Sequence, residues 1–270
     1  MEIDFSKLSA AGNDFVLIDN RNSKISAQNY QNITKKLCDR KYAIGADGLI
    51  FLEKSENADF KMKYFNSDGS HASMCGNGGR SVAKFAYVLG AAREEMVFET
   101  DAGIVNAEIF PNDRVKLSLY EPKNLKRDLK ITVYEKEFNI DFIDTGVPHA
   151  VIFADDIEKI DVVKYGRFLR HHSNFAPDGT NVDFVQVLAG NTLLVRTYER
   201  GVEDETLACG TGITACGIIS VLKNLAVSPV KIIARGGDNL EVSLETDNKK
   251  VKNVTLEGPA VVTFEGNIKI

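Results

Sequence analysis

Apolar residues along the chain fall into short runs of strand length separated by turn residues, and four stretches carry a helical period. Residues 3–8 and 15–19 read as two strands about a turn at Gly12-Asn13-Asp14. Ser26 caps a helix expected over 27–40, with Ile33 and Leu37 on one face and Cys38 beside them. A turn at Gly45 leads to strands 49–53 and 60–66, a glycine-rich loop, and a helix over 79–89 closed by Gly90. Strands 96–100, 104–110 and 115–119 follow. The order then recurs, with strands 138–144 and 150–153, a helix over 162–171, strands 183–188 and 193–199, and a helix over 212–225. A last strand, 261–270, is expected to return to the first unit.

The recurrence is visible in the residues themselves. Met74-Cys75-Gly76-Asn77-Gly78-Gly79 and Ala208-Cys209-Gly210-Thr211-Gly212 each precede a long apolar run, and the two cysteines lie 134 residues apart. At that offset Gly12 falls on Gly146, Gly45-Ala46-Asp47 on Gly179-Thr180-Asn181, and Tyr64-Phe65-Asn66 on Tyr198-Glu199-Arg200. Separate blocks sharing one offset indicate two tandem copies of one unit. The units are expected at 1–122, completed by 261–270, and at 123–260. The second includes a Lys- and Glu-rich bridge, 123–136, which like 249–252 reads as a solvated loop.

The second central helix decides the expected architecture. Ile213, Ala215, Cys216, Ile218, Ile219, Val221 and Leu222 point in every direction around a helix. A helix apolar all round must be enclosed, so strands are expected to wrap it. The fold class is α+β, with two pseudo-symmetric units, each a curved, mostly antiparallel sheet around a central helix. The two cysteine-bearing helix starts are expected to face one another across the crevice between units.

Composition narrows the function. With 44% hydrophobic and 26% charged residues the chain is globular, and a net charge of −5 with pI near 5.5 gives no basic footprint for nucleic acid or membrane surfaces. A small molecule is the expected partner, and a homodimer is left open. The first residues lack a signal-peptide pattern and the longest uncharged stretch, 206–222, is glycine-interrupted, so a cytoplasmic location is expected. The four cysteines lack the paired spacing of a zinc ribbon or redox dithiol, which points to free thiols. Cys38 and Cys216 read as core.

A cysteine at a helix start sits at the positive end of the macrodipole, where its pKa is expected below the free value of about 8.5. For one copy the plain reading is a small buried side chain beside a tight turn. Two thiols on opposite sides of one carbon could instead act as thiolate base and thiol acid, which inverts a stereocentre. Backbone N–H groups of Gly76, Asn77, Gly210 and Thr211 would hold the carboxylate of the carbanion. No metal-ligand cluster or cofactor-binding lysine motif accompanies the cysteines, and neither metal nor cofactor is expected.

These motifs resemble the diaminopimelate epimerases, cofactor-independent amino-acid racemases of lysine and cell-wall precursor biosynthesis. The resemblance runs through Gly12-Asn13-Asp14-Phe15, Asn66-Ser67-Asp68-Gly69-Ser70, the Cys75 loop, Pro148-His149, Gly179-Thr180-Asn181-Val182, and Tyr198-Glu199-Arg200-Gly201 through the Cys209 loop. It implies that Cys75 and Cys209 are the acid–base pair interconverting LL- and meso-diaminopimelate. It implies that Asn13, Asn66, Asn181 and Arg200 hold the distant amino-acid end, with Glu199 and His149 near the reacting ammonium. Two positions depart: many members carry Asn where this chain has Val147, and some carry Gln where it has Gly48. Proline or hydroxyproline racemases resemble the chain in fold and in a Cys-Gly-x-Gly loop, but Asn66, Asn181 and Arg200 suit a substrate with a second carboxylate. A reversible Cys75–Cys209 redox module is the alternative of a different class. A nucleotide site would rest on the glycines alone, without the Gly-Lys-Ser/Thr of a phosphate loop.

Overall fold

A computed structural model describes residues 2–247 and 250–269. Met1, Lys249 and Ile270, which bound three of the expected segments, lie outside the described residues. The chain forms two compact units, one running to Ser118 and resuming at Gly258, the other Leu119–Glu257.

Unit 1 contains β1 (Glu2–Ala10), β2 (Asn13–Asp19), α1 (Tyr30–Leu37), β3 (Gly48–Glu53), β4 (Phe60–Asn66), β5 (His71–Ala72), α2 (Gly76–Val88), β6 (Glu95–Thr100), β7 (Gly103–Phe110) and β8 (Arg114–Ser118). Unit 2 contains β9 (Lys123–Val133), β10 (Lys136–Asp144), β11 (Pro148–Phe153), α3 (Val162–Arg170), β12 (Asn181–Leu188), β13 (Thr192–Glu199), β14 (Asp204–Thr206), α4 (Gly210–Leu222), β15 (Val230–Ala234), β16 (Asn239–Asp247) and β17 (Lys250–Pro259). The last strand, β18 (Val261–Lys269), pairs antiparallel with β1 and so returns to unit 1.

The sheet of unit 1 runs β18-β1-β2-β3-β4-β6-β7-β8, with parallel joints only at β2/β3 and β4/β6. That of unit 2 runs β9-β10-β11-β12-β13-β15-β16-β17, with parallel joints at β11/β12 and β13/β15. The two orders match strand for strand. A parallel joint requires a crossover, and a helix supplies each one: α1 and α2 in unit 1, α3 and α4 in unit 2. Within unit 1, α2 touches strands from both ends of the sheet, β18 and β1 as well as β7 and β8, so the sheet curls around it. In unit 2, α4 packs against β10 to β13, β15 and β16, and every residue from Gly212 to Ser220 is buried. That enclosure is what its all-round apolar surface requires.

The central helices also end alike. Gly90 (φ +65°) and Asn224 (φ +58°) are left-handed, and the next residue of each reaches back to the final turn, Ala91 N to Ala86 O at 2.8 Å and Leu225 N to Ser220 O at 2.9 Å. Strand pairing departs from the constant offset. Tyr64 opposes Ile50, whereas Tyr198 opposes Val182 and not Phe184. A slip of two residues keeps every side chain on its original face, so the repeat tolerates it.

Several boundaries move. Residues 27–29 form a 3-10 turn, Ser26 makes no side-chain cap bond, and the α-helix begins at Tyr30. Residues 123–136 and 250–252 are not loops. β9 is a strand whose first half is exposed and whose Ile131 and Val133 enter the core, and it turns into β10 at Tyr134 and Glu135, both at positive φ. Such a turn ordinarily carries Asn-Gly or Asp-Gly, so Tyr-Glu gave no signal, and the lysines occupy solvent-facing positions of an edge strand. Lys250 and Lys252 begin β17 in the same way. Among the described residues, no helix is long and apolar enough to cross a membrane, and no group of three or more His, Cys, Asp or Glu could hold a metal ion.

Candidate active site

Each unit presents one cysteine at one helix start. In unit 1, Cys75 is the extended N-cap of α2, and Gly78 N–H donates to its Sγ at 3.4 Å. The α-helix begins at Gly76, three residues before the expected start, because the cap and packing outweigh the poor helix propensity of its glycines. A Cβ on Gly79 would lie 2.8 Å from Met74 Cε, whereas one on Gly76 would meet nothing within 4 Å, so the first turn is tight beneath and open above.

Asn77 is buried at the base of this turn. Its Nδ2 donates to Asn13 Oδ1 at 2.6 Å, and its Oδ1 accepts from Nη2 of the fully buried Arg80 at 2.6 Å. Asn13 Nδ2 in turn donates to Asp47 at 3.0 Å. The β2 end is fixed by charge, since Arg40 grips Asp14 through both terminal nitrogens at 3.0 and 2.7 Å and Asp47 at 2.7 Å, and Lys7 lies 2.8 Å from Asp14. Burial alone would raise the Asp14 carboxyl, but its hydrogen bonds and proximity to Arg40 and Lys7 hold it well below the usual range. A carboxyl depressed in the folded state contributes stability above its unfolded value of about 3.9 and loses it as pH falls further. Asp14→Asn is therefore expected to flatten the acid limb of a melting-temperature profile below about pH 4, and an unchanged limb would show that the cluster does not couple to folding.

Asn66 ends β4, where its Oδ1 accepts from Tyr64 Oη at 2.8 Å and its Nδ2 donates to Ser70 Oγ at 3.0 Å. Gly48 stands against the same tyrosine: a Cβ there would lie 2.6 Å from Tyr64 Cε2 and 2.7 Å from Phe65 O. The Tyr64 ring fills the space a longer residue would need, and its hydroxyl brings a polar group there. Sequence reasoning used Tyr64 only as a repeat marker.

In unit 2, Cys209 is the extended N-cap of α4 and is 7% exposed, with its Sγ 3.4 Å from Thr211 Oγ1. The helix-start expectation of a lowered thiol pKa fails here. Burial pushes Cys209 well up, the Glu199 and Asp183 carboxylates push it further, and the Thr211 hydroxyl and Gly212 N–H only partly oppose them. Burial likewise raises the core thiols Cys38, to about 12, and Cys216.

Thr211 Oγ1 also lies 2.9 Å from His149 Nε2, and His149 Nδ1 donates to Asp183 Oδ2 at 2.7 Å. Thr197 Oγ1 donates to the other Asp183 oxygen at 2.7 Å. His149 and Asp183 are both fully buried. Isolating one charge in such a place costs several kcal/mol, which these paired donors offset. His149 was expected beside a substrate ammonium; both its ring nitrogens are engaged within the unit. Asn181 is buried beside it, donating to Pro148 O at 2.9 Å and accepting from Arg200 N–H at 2.8 Å, so one amide ties β11 to the end of β13. Arg200 is half-buried with Nη1 3.3 Å from Asp178 O, and Glu199 precedes it near the thiol.

Asp183 and Thr197 were missed by sequence reasoning. The available signal was alternation: in Asn181-Val182-Asp183, positions i and i+2 share a face, and an acid between Val182 and Phe184 in a buried strand needs a partner.

The diaminopimelate epimerase family model matches residues 5–123 and 142–263. The diaminopimelate epimerase of Aquifex aeolicus is 44% identical over 98% of both chains. Among solved structures, a Bacillus anthracis phenazine biosynthesis protein of the PhzF family superposes with TM-score 0.77 at 16% identity, covering 100% of each chain. A probable proline racemase from Agrobacterium radiobacter gives 0.72 at 16% identity, covering 99% of this chain and 92% of that one. At such identities these two structures speak to the fold alone.

Proposed function

Because the chain belongs to the diaminopimelate epimerase family and is accordingly an isomerase, we propose that it interconverts LL- and meso-diaminopimelate by a two-base mechanism using Cys75 and Cys209. The observation that carries the reading is that each of two matching units caps its central helix with a cysteine at the same topological position. One cysteine, as thiolate, removes the α-proton. The other, as thiol, returns a proton to the opposite face, so the stereocentre inverts and the protonation states of the pair exchange.

The α-proton of an amino acid is a very weak acid, and the carbanion must be stabilised as it forms. Backbone N–H groups of Gly76, Asn77, Gly210 and Thr211 at the two helix starts suit a carboxylate, because they add fixed donors to the positive ends of the helices. The distal amino-acid group falls to Asn13, Asn66, Asn181 and Arg200. Each asparagine above spends one N–H of its amide on the protein and retains a second for a substrate oxygen. Arg200 offers a planar fork for a carboxylate, and Glu199 is the counter-charge for an ammonium. This chemistry draws on thiols and backbone dipoles, so the reaction needs neither metal nor pyridoxal phosphate. The product serves lysine and cell-wall precursor synthesis, and the enzyme works in the cytoplasm.

Reduced protein incubated in heavy water with LL-diaminopimelate is expected to incorporate deuterium at the α-carbon and to form the meso isomer, while L-proline stays unlabelled. Labelling of proline with none of diaminopimelate would move the assignment to an imino-acid racemase. Thiol–disulfide exchange without labelling of either would favour a redox module.

A further inference from the structure

Cys209 is hard to ionise where it stands. It is nearly sealed from water, and two carboxylates, Glu199 and Asp183, oppose a negative charge on its sulfur. A base that must lose its proton to solvent would be slow from such a position. The structure offers another destination. Sγ of Cys209, Oγ1 of Thr211, Nε2 of His149, Nδ1 of His149 and Oδ2 of Asp183 form one continuous chain with separations of 3.4, 2.9 and 2.7 Å across its three contacts.

We propose that Asp183, His149 and Thr211 form an internal proton relay that ionises Cys209. The proposal rests on the reading of Cys209 as one of the two bases. Asp183 accepts a hydrogen bond from Nδ1–H, which keeps its proton and leaves the Nε2 lone pair facing Thr211. The threonine O–H donates to Nε2 while its oxygen accepts from the thiol. When the relay fires, the Cys209 S–H bond breaks and its proton passes to Thr211 Oγ1 as the threonine proton moves to His149 Nε2. The products are a thiolate and an imidazolium held against Asp183, with every proton accounted for and no water required. The reverse shift restores the thiol when Cys209 acts as the acid.

The surroundings are built for this arrangement. Thr197 donates to Asp183 Oδ1 and fixes the carboxylate at its second oxygen. Thr145 Oγ1 donates to the Thr211 carbonyl at 2.9 Å and orients that residue. Gly212 leaves room, since a Cβ there would sit 2.4 Å from Asp183 Oδ1 and 3.2 Å from His149 Cε1. Asp183 acts through His149 and is a positioning residue, whereas Thr211 touches the reacting sulfur. Unit 1 lacks the counterpart: by strand register Phe15 and Ile50 stand where unit 2 has His149 and Asp183. The relay thus makes the two thiols chemically unequal.

Iodoacetamide labelling followed by peptide mass spectrometry reads the thiolate at each cysteine separately, because the thiolate is the nucleophile. Thr211→Val is expected to slow labelling of Cys209 by about tenfold or more, with Cys75 unchanged. Thr211→Ser, which restores the hydroxyl, should recover most of the rate. Asp183→Asn should slow Cys209 in the same way, and Thr211→Val at the helix surface keeps the test intact should that buried change prevent folding. Labelling of Cys209 at the wild-type rate in folded Thr211→Val, or no recovery in Thr211→Ser, overturns the relay. The failure of the underlying reading looks different, for it would appear as wild-type epimerisation by Cys209→Ser.

Discussion

Cys75→Ser and Cys209→Ser are each expected to lose epimerisation by at least the ~10²–10⁴-fold that general acid–base catalysis contributes. A serine hydroxyl at the same helix start remains a hydrogen-bonding group of nearly the same size, so the fold should persist: Cys75 is half-buried at an N-cap, a position serine favours, and Cys209 is replaced by a smaller atom. What is lost is a group able to exist as either acid or base near neutrality. The two variants should also differ from one another. Each retains one thiol, which can still exchange the α-proton of the stereoisomer it faces, and the preferred isomer should reverse between them. Deuterium incorporation into each isomer, followed by chiral separation, measures both effects. If either variant epimerises within tenfold of the wild type, the two-thiol mechanism is wrong.

Gly212→Ala should damage both stability and turnover. The added methyl would lie 2.4 Å from Asp183 Oδ1 and 3.2 Å from His149 Cε1. Neither neighbour is free to withdraw: His149 stands on β11 and Asp183 on β12, and those strands pair in parallel over residues 149–153 and 181–185. Asp183 is further held by Thr197, and every residue of α4 from Gly212 to Ser220 is packed. Overpacking of this kind costs about 1–3 kcal/mol, or roughly 2–4 °C of melting temperature per kcal/mol for a unit of this size. Turnover should fall with it, because relieving the clash must spread the His149–Asp183 contact. Gly76→Ala is the control for stability, since nothing lies within 4 Å of a Cβ there. Equal melting temperatures for the two alanine variants would refute the packing argument.

The duplication was legible because it is written in residues that answer to backbone geometry. Gly45 and Gly179 are both left-handed, and so are Gly12 and Gly146, so the same turns select the same residue type in each copy. The enclosed central helix was legible because an apolar surface on every side admits no solvent face. The candidate thiols were legible because a cysteine before a glycine-rich apolar run marks a helix start, and Cys75 and Cys209 are N-caps.

The two central helices start two or three residues before their expected positions, since glycine signals a loop by propensity alone and becomes helical here only through tertiary packing of the first turn. The β9–β10 hairpin was read as a loop because its turn residues, Tyr134 and Glu135, carry no turn signature. Its edge position, fixed by pairing with Lys136–Asp144, outweighed local composition.

The sequence by itself determined the repeated unit, its central helix and the two candidate thiols, because each depends on local periodicity or on residues with restricted backbone freedom. Tertiary structure alone decided which groups surround those thiols. Asp183 meets His149 across two paired strands, and Thr211 joins them from a helix start 62 residues beyond His149. Tyr64 takes the space beside Gly48 only because β3 and β4 pair in one register. The ionisation of Cys209 follows the same rule: a helix start favours the thiolate, and burial beside two carboxylates, a property of the fold and of no local stretch, overrides it.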